Sequence, residues 1–202
     1  MVAKFHLINV TANPKAILIL VPGSNYDGRI MGHDIVWMRF AWANKLSIVG
    51  CYFMDEDHTR IEGYADAIES GRALFNFLLS NKLSECPLLL WGFSAGGQFN
   101  YELAKTGPLW GLYIAAFVVN KGGIYYTLFQ SEYARRTPGL FFLGTKDDEF
   151  RPNIIRTIYN YNKLLDPKCN WQLVEENTGH EEGESVKLSQ EFFEEVLKGL
   201  GK

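Results

Sequence analysis

Short apolar segments recur along the chain and predict β-strands. They consist largely of Val, Ile, Leu and aromatic residues and are bounded by polar or glycine-containing stretches. Seven segments have this pattern: residues 5–10, 16–21, 46–53, 88–91, 115–119, 140–143 and 171–174. Several are apolar at nearly every position, as in AILILV at 16–21. Such uninterrupted runs indicate strands whose sheet is covered on both faces.

Between the strands, apolar residues return every three or four positions and predict helices. The predicted helices cover residues 32–44, 63–82, 95–106, 152–165 and 185–198. Alternating strands and helices favour parallel pairing through right-handed crossovers. The 202 residues contain no internal repeat and no long linker. We therefore expect one α/β domain over residues 1–202, with a mostly parallel sheet flanked by helices on both faces.

Composition and charge narrow the classes of partner. The chain is 47% apolar and 21% charged, with a net charge of −3 and 20 scattered Lys and Arg residues. This balance is typical of a globular protein and predicts neither a nucleic-acid nor a membrane partner. The longest apolar runs are far shorter than the roughly 20 residues that cross a bilayer. Residues 1–10 do not resemble a signal peptide, so we expect a soluble, cytoplasmic protein.

The cysteines predict no metal or redox site. Cys51, Cys86 and Cys169 are odd in number and lack the CxxC spacing of such sites. We interpret them as reduced thiols that pack in or near the core.

One pentapeptide indicates a catalytic nucleophile. Gly92-Phe93-Ser94-Ala95-Gly96 follows an apolar strand, precedes a predicted helix, and fits the GxSxG nucleophile elbow. A sharp turn from strand to helix holds the central residue in a strained conformation and lifts its hydroxyl clear of the sheet. Glycine two positions before and after it lets the two backbones approach closely. Ser94 is the predicted nucleophile.

A serine hydroxyl needs a general base, which should be a histidine. His180 lies in a loop after the last predicted strand, where an imidazole can reach both the attacking and the leaving group. His6 lies within the first strand. His33 and His58 are weaker alternatives in loops that can overhang the site. We therefore favour His180.

A carboxylate should orient the imidazole. Adjacent aspartates follow the strand at 140–143, and the spacing from that strand favours Asp147 over Asp148. Glu175 and Glu176 are weaker alternatives because they lie too close to His180 along the chain.

A tetrahedral intermediate also needs backbone donors for its oxyanion. The amide of Ala95, directly after the nucleophile, is one candidate. The second should come from the glycine-containing loop after the strand at 16–21, through the amide of Ser24 or, as an alternative, of Asn25.

Substrate contacts are expected around this point. The interval between Lys121 and Gly139 is too short for a cap domain, and its aromatic residues, Tyr125 among them, predict the walls of an open cleft. Lys121 either binds an acidic substrate group or pairs with Asp148 or Glu149. The other expected substrate contacts are Asn25, Tyr26 and Phe93.

The order Ser94, Asp147, His180, with an oxyanion-type loop upstream, resembles the α/β-hydrolase superfamily over nearly the whole chain. Four segments look most like small esterases of the dienelactone-hydrolase and polyhydroxybutyrate-depolymerase type: PGSNYDG at 22–28, WGFSAGGQ at 91–98, VVNKGG at 118–123 and LGTKDDEFRP at 143–152. The chain departs from the pattern at Pro22-Gly23, where many relatives have His-Gly.

The resemblance implies a minimal α/β-hydrolase fold without a cap domain, and hydrolysis of a small ester through an acyl-enzyme on Ser94. It implies no cofactor and no metal. Serine at the nucleophile position disfavours a dehalogenase, which uses Asp, and a dienelactone hydrolase, which uses Cys. A thioesterase, acyltransferase or peptidase with the same triad stays open, as does a binding protein that retains the fold without catalysis.

Overall fold

The computed structural model describes residues 2–9, 11–24, 26–54, 67–123 and 127–200. Within these residues, seven strands form one sheet in the order β1-β3-β2-β4-β5-β6-β7. The strands are β1 (Val2–Ile8), β2 (Ile17–Val21), β3 (Ser47–Met54), β4 (Leu88–Gly92), β5 (Ile114–Asn120), β6 (Gly139–Gly144) and β7 (Trp171–Glu176). All pairs except β1 with β3 are parallel. The predicted α/β class and mostly parallel sheet are confirmed.

Helices cover both faces of the sheet. They are α1 (Gly28–Met31), α2 (Ile35–Asn44), α3 (Ala67–Ser80), α4 (Ala95–Thr106), α5 (Glu132–Arg136), α6 (Phe150–Leu165) and α7 (Ser185–Gly199), with a 3-10 helix at Gly107–Trp110. The buried side chains of α3, α4 and α6 pack in one core cluster, whereas those of α2 and α7 pack in a second cluster. No helix in the described part of the chain is both long and apolar enough to cross a membrane.

Strand β2 shows why its sequence is apolar throughout. Ile17, Ile19 and Val21 face the first cluster, and Leu18 and Leu20 face the second. All five are fully buried. Because successive side chains of a strand point to opposite faces, a central strand covered on both sides needs an apolar residue at every position.

The edge strand β1 differs from the parallel pattern that the alternation of strands and helices favoured. It pairs antiparallel with β3, from Val2 opposite Met54 to Ile8 opposite Ile48. Residues 9–16 link β1 to β2, and β2 runs parallel to β3. This link is too short for the helical crossover that parallel strands require, which typically takes a dozen residues or more, so β1 runs antiparallel to both strands.

The three cysteines are free thiols, as predicted. Cys51 and Cys169 are buried in the first core cluster, and Cys86 packs against it. Burial raises the pKa of all three thiols, so they are held in the neutral form that packs well in an apolar core.

The carboxyl ends of the parallel strands define one edge of the sheet. The chain leaves β2 towards β3 on one side, and β4 and β5 continue on the other side. Ligands bind beyond the carboxyl ends of the strands at such a switch point. The loops after β2, β4, β6 and β7 all meet at this edge.

Candidate active site

The turn after β4 holds Ser94 in a strained conformation. Its φ is 52° and its ψ is −118°, a combination that residues with a side chain rarely adopt. Glycine is required on both sides of it. A Cβ at Gly92 would lie 2.3 Å from the Gly96 carbonyl oxygen, and one at Gly96 would lie 2.1 Å from the Val21 carbonyl oxygen. The strand and the helix are therefore in backbone contact, as the pentapeptide predicted.

Backbone hydrogen bonds from two neighbouring strands fix this turn. The Ser94 amide donates to the Asn120 carbonyl at 2.8 Å, and the Phe93 amide donates to the Val21 carbonyl at 3.2 Å. Within the turn, the Gly96 amide donates to the Phe93 carbonyl at 2.8 Å. The surrounding sheet thus stabilises a conformation that is unfavourable for the isolated residue.

Three side chains from three loops form a hydrogen-bonded chain. His180 Nε2 lies 2.9 Å from Ser94 Oγ, and His180 Nδ1 lies 2.8 Å from Asp147 Oδ2. A carboxylate can only accept, so Nδ1 carries the proton and Nε2 is free to accept from the serine hydroxyl. Asp147 is only 3% exposed, whereas His180 is 31% exposed. The imidazole is therefore held from its buried side and open towards solvent on the other.

Asp147, not Asp148, contacts the histidine. Asp147 Oδ1 accepts the Asp148 amide at 2.8 Å, which leaves its other oxygen for His180. The Asp148 carboxylate turns away, accepts the Arg151 amide at 2.8 Å and pairs with the Arg151 guanidinium. These contacts, led by the amide, lower the pKa of Asp148.

The alternative bases and acids are engaged elsewhere. His6 and His33 contact each other, with 3.1 Å between their Nε2 atoms, and His58 lies outside the described residues. Glu175 pairs with Arg156 at 2.8 Å. None of the described alternatives contacts Ser94.

The loop after β6 carries Asp147 and is called the acid loop, and the loop after β7 carries His180 and is called the histidine loop. The two loops are joined by backbone hydrogen bonds. The Thr145 amide donates to the Glu176 carbonyl at 2.8 Å, and the Lys146 amide donates to the Thr178 carbonyl at 2.9 Å. Between them, a Cβ at Gly144 would lie 2.5 Å from the Gly179 carbonyl oxygen. Glycine at 144 therefore allows the loop before His180 to rest directly on the end of β6.

Lys121 lies in the scaffold and not in the cavity. Its side chain has no exposed surface, and its ammonium lies 2.9 Å from Glu176 Oε2. It also donates to Thr178 Oγ1 at 2.8 Å and to the Glu181 carbonyl. The predicted contact of Lys121 with an acidic substrate is therefore wrong. Its partner is Glu176 instead of Asp148 or Glu149, because the loop after β7 folds across the end of β5.

The two candidate oxyanion donors both belong to segments that adjoin Ser94. Ala95 opens α4, where an amide has no intrahelical acceptor. Gly23, next to Ser24, packs against Ser94, since a Cβ there would lie 3.3 Å from Ser94 Cβ. Among the described residues, neither the Ala95 nor the Ser24 amide donates to a backbone carbonyl. Asn25, the alternative donor and a predicted substrate contact, lies outside the described residues.

A cavity of about 390 Å³ opens above Ser94. Its walls are Pro22, Gly23, Ser24, Tyr26, Met31, Phe93, His180 and Glu182. The predicted contacts Tyr26 and Phe93 thus line it, and the Phe93 ring lies 5.1 Å from the His180 ring. We call this space the catalytic cavity.

The predicted aromatic wall from the interval after β5 is wrong for the described residues. Phe129 packs on Tyr161. The Tyr133 hydroxyl donates to the Ile114 carbonyl at 3.4 Å, at the amino end of β5 and so at the opposite edge of the sheet. Tyr125 lies outside the described residues. The described part of this interval contains one short helix, α5, which is too small to be a cap domain.

Sequence reasoning missed Asn120, Met31 and Glu182. Asn120 lies at the carboxyl end of β5, where functional residues are expected, but the charge of the adjacent Lys121 made Lys121 the stronger candidate. The Asn120 carbonyl receives the Ser94 amide, and its side chain donates to Ser185 Oγ at 2.6 Å. Met31 and Glu182 carry no motif, because only the packing of α1 beside the histidine loop brings them to the cavity. In the described part of the chain, no three His, Cys, Asp or Glu side chains cluster as metal ligands.

No protein-family model and no curated protein matches the chain in sequence. Solved structures match it in fold. Esterase PE8 aligns with a TM-score of 0.70 at 18% identity, over 96% of this chain and 99% of that one. Acyl-protein thioesterase 2 from Zea mays has a TM-score of 0.64 at 13% identity, over 96% and 99% of the two chains.

A third match is LpqC, the poly(3-hydroxybutyrate) depolymerase from Bordetella parapertussis, with a TM-score of 0.67 at 18% identity over 93% of this chain and 83% of that one. All three neighbours have the α/β-hydrolase fold. The fold that the motifs implied is therefore confirmed: the chain has the α/β-hydrolase fold.

Proposed function

We propose that this protein is a serine hydrolase that cleaves a carboxylic ester through an acyl-enzyme on Ser94. The observation that carries the proposal is the continuous hydrogen-bonded chain from Ser94 Oγ through His180 to Asp147, with links of 2.9 and 2.8 Å. A nucleophile, a base in the correct tautomer and a buried acid that orients the base are the parts that acyl transfer requires.

In the first half-reaction, Ser94 Oγ attacks the ester carbonyl carbon while His180 Nε2 takes the hydroxyl proton. The carbonyl π electrons move to its oxygen, and the amides of Ala95 and Ser24 stabilise that charge. When the intermediate collapses, His180 gives its proton to the alkoxy oxygen, the C–O bond breaks and the alcohol leaves. The acyl group stays on Ser94.

In the second half-reaction, a water molecule attacks the acyl-enzyme. His180 accepts one water proton and returns it to Ser94 Oγ as the acyl–enzyme bond breaks, which releases the carboxylic acid. Asp147 stays ionised throughout and stabilises the imidazolium that forms in each step. The side chains in this scheme all belong to the chain itself.

The strained turn at Ser94 argues against a binding protein that retains the fold without catalysis. Backbone strain of about 1–3 kcal/mol persists only where the surrounding structure enforces it, and such strained residues cluster at functional sites. Here the strained turn places Ser94 Oγ within hydrogen-bond distance of His180. The names of the structural neighbours, which include an esterase and a depolymerase, are in keeping with ester hydrolysis.

Labelling with a fluorophosphonate tests the proposal directly, because this reagent reacts with a serine that a histidine activates. We expect one label per chain on Ser94 and none on the His180→Ala variant. Turnover of 4-nitrophenyl acetate should disappear in parallel with labelling. Folded wild-type protein that neither takes the label nor hydrolyses the ester would overturn the proposal.

A further inference from the structure

A second, larger space adjoins the catalytic cavity. It measures about 900 Å³ and lies between α1, the first turn of α2 and the first turns of α7. The side chains of Tyr26, Met31 and Glu182 line both spaces. We call this second space the groove. The two spaces therefore adjoin at these three side chains, and a molecule bound at Ser94 that extends towards the groove would lie against them.

The larger part of the surface that lines the groove is apolar, and so is much of its rim. Met31, Trp37 and Val186 contribute to its walls. At its rim, Tyr26, Ile30 and Val36 are 64%, 61% and 46% exposed. Large apolar side chains that are exposed together beside a cavity mark a binding surface, since burying them gains free energy.

The charged groups at the groove are mostly acidic. Asp34, Glu182 and Glu184 line it, and Lys187 is the one Lys or Arg among its described lining residues. Desolvation and then the nearby Asp34 carboxylate raise the pKa of Glu182, and the Lys121 ammonium opposes that shift. An additional negative charge at the junction with the catalytic cavity is therefore unfavourable.

We propose that the groove binds an unbranched aliphatic chain of a neutral ester whose carbonyl group lies at Ser94. This inference rests on the proposed function and adds to it the substrate class. Either the acyl part or the alcohol part of the ester can carry this aliphatic chain, because the groove would contact the same methylene groups in both cases. The catalytic cavity alone holds a short ester, and the groove gives a longer chain an apolar surface to cover.

Two series of substrates test the inference and separate the two sources of the chain. One series is 4-nitrophenyl acetate and octanoate, and the other is methyl acetate and octyl acetate, all below their micelle concentrations. We expect the long chain to raise kcat/KM by about tenfold or more in one series, since burial of its additional methylene groups is favourable. An octanoate analogue with a terminal carboxylate should lose this gain.

Charged substitutions at the rim should remove the gain. Ile30→Glu and Val36→Glu each place a carboxylate where the chain would lie, and we expect each to lower the ratio of long-chain to short-chain kcat/KM at least about fivefold. Leu164→Glu is the matched control. Leu164 is a similar aliphatic residue and is more exposed, at 78%, but it lies near the end of α6, at the opposite edge of the sheet. This variant should keep the wild-type ratio.

Calorimetry on the Ser94→Ala variant separates failure of the groove from failure of the catalytic proposal. N-methyloctanamide is neutral and is not turned over, and we expect it to bind this variant and to lose binding when Ile30→Glu is added. If the amide binds Ser94→Ala and binding is lost when Ile30→Glu is added, the groove is supported even if the wild-type protein hydrolyses no ester. Hydrolysis of the acetyl ester without amide binding, or equal effects of Ile30→Glu and Leu164→Glu, would overturn the groove and leave the hydrolase proposal standing.

Discussion

The ammonium of Lys121 lies 2.9 Å from the carboxylate of Glu176, in a buried position beneath the loop that carries His180. The same ammonium binds Thr178 Oγ1 and the Glu181 carbonyl. Lys121 thus contacts this loop on both sides of the histidine, and Asn120 beside it receives the Ser94 amide. Two adjacent residues at the carboxyl end of β5 therefore support both Ser94 and the loop that carries His180. We regard Lys121 as a positioning residue.

We expect Lys121→Met to destabilise the protein and to slow catalysis. The substitution leaves the Glu176 carboxylate buried without its cation, which typically reduces the free energy of unfolding by about 3–5 kcal/mol. The double variant Lys121→Met, Glu176→Gln should recover most of that stability but not the turnover, because the contacts with Thr178 and Glu181 stay absent. Urea unfolding and kcat measure the two effects separately. Recovery of both together would show that Lys121 acts on stability alone.

The strain at Ser94 predicts different stabilities for two inactive variants. Ser94→Ala and Ser94→Gly should both lose hydrolysis by at least about 10⁴-fold, since neither has a nucleophile. Glycine adopts a φ of 52° without a steric penalty. Ser94→Gly should therefore be more stable than Ser94→Ala by about 1 kcal/mol or more. Thermal unfolding measures the difference, and equal stabilities would show that the turn holds no strain.

The adjacent aspartates should differ in what they control. We expect Asp147→Asn to lower kcat by about 10³–10⁴-fold, because an amide at that position favours the wrong imidazole tautomer. Asp148→Asn should retain most activity. Asp148→Ala should instead reduce stability by about 1 kcal/mol through loss of the acceptor for the Arg151 amide. Steady-state kinetics and urea unfolding of the three variants check this, and the reverse order of kcat losses would assign the acid role to Asp148.

The sequence predicted those features that depend on local pattern. Ser94, Asp147 and His180 each follow a strand, and parallel strands bring their carboxyl ends to one edge. Features that depend on how loops fold over one another were missed or mistaken. The partner of Lys121 was predicted wrongly because no pattern in the sequence indicates that the loop from Glu176 to Glu181 folds across the end of β5.

The groove also depends on the packing of separate elements, which the sequence alone does not predict. Val36 is an ordinary apolar position of the helix predicted over 32–44, Ile30 precedes that helix, and no pattern marks either residue as exposed. The groove itself forms only when α1, α2 and α7 come together, with a space left between α1 and the first turns of the other two helices. Similarly, the antiparallel pairing of β1 depends on the short link at residues 9–16 and on which edge of the sheet is free.

Contact between the acid loop and the histidine loop makes Gly144 sensitive to substitution. A Cβ there would lie 2.5 Å from the Gly179 carbonyl oxygen and 2.6 Å from that of Thr178, so Gly144→Ala must move the backbone before His180. We expect kcat and fluorophosphonate labelling to fall about tenfold or more, as a misplaced base costs about 10²-fold. Gly199→Ala is the control, because a Cβ there meets nothing within 4 Å. It should keep full activity, and similar behaviour of the two variants would contradict the proposed contact.

The raised pKa of Glu182 predicts a stability difference that depends on pH. In the folded protein this carboxyl holds its proton to a higher pH than in the unfolded chain, so stability is lost as the pH rises through the folded pKa. Glu182→Gln removes that loss. The variant should match the wild type at about pH 4 and have a higher Tm at about pH 8, where the wild-type carboxylate is ionised next to Asp34.

Glu175→Gln provides a control of opposite sign. A side-chain hydrogen bond from Arg156 lowers the pKa of Glu175, so its carboxylate stabilises the folded state above its unfolded pKa and ceases to do so as the pH falls through the folded pKa. Glu175→Gln should therefore have the lower Tm at about pH 8, and the difference should shrink towards about pH 4. Thermal unfolding of both variants across this range gives two curves that diverge in opposite directions. If Glu182→Gln followed Glu175→Gln instead, the carboxyl of Glu182 would be a stabilising charge, and the groove would lack the unfavourable negative charge at its junction with the catalytic cavity.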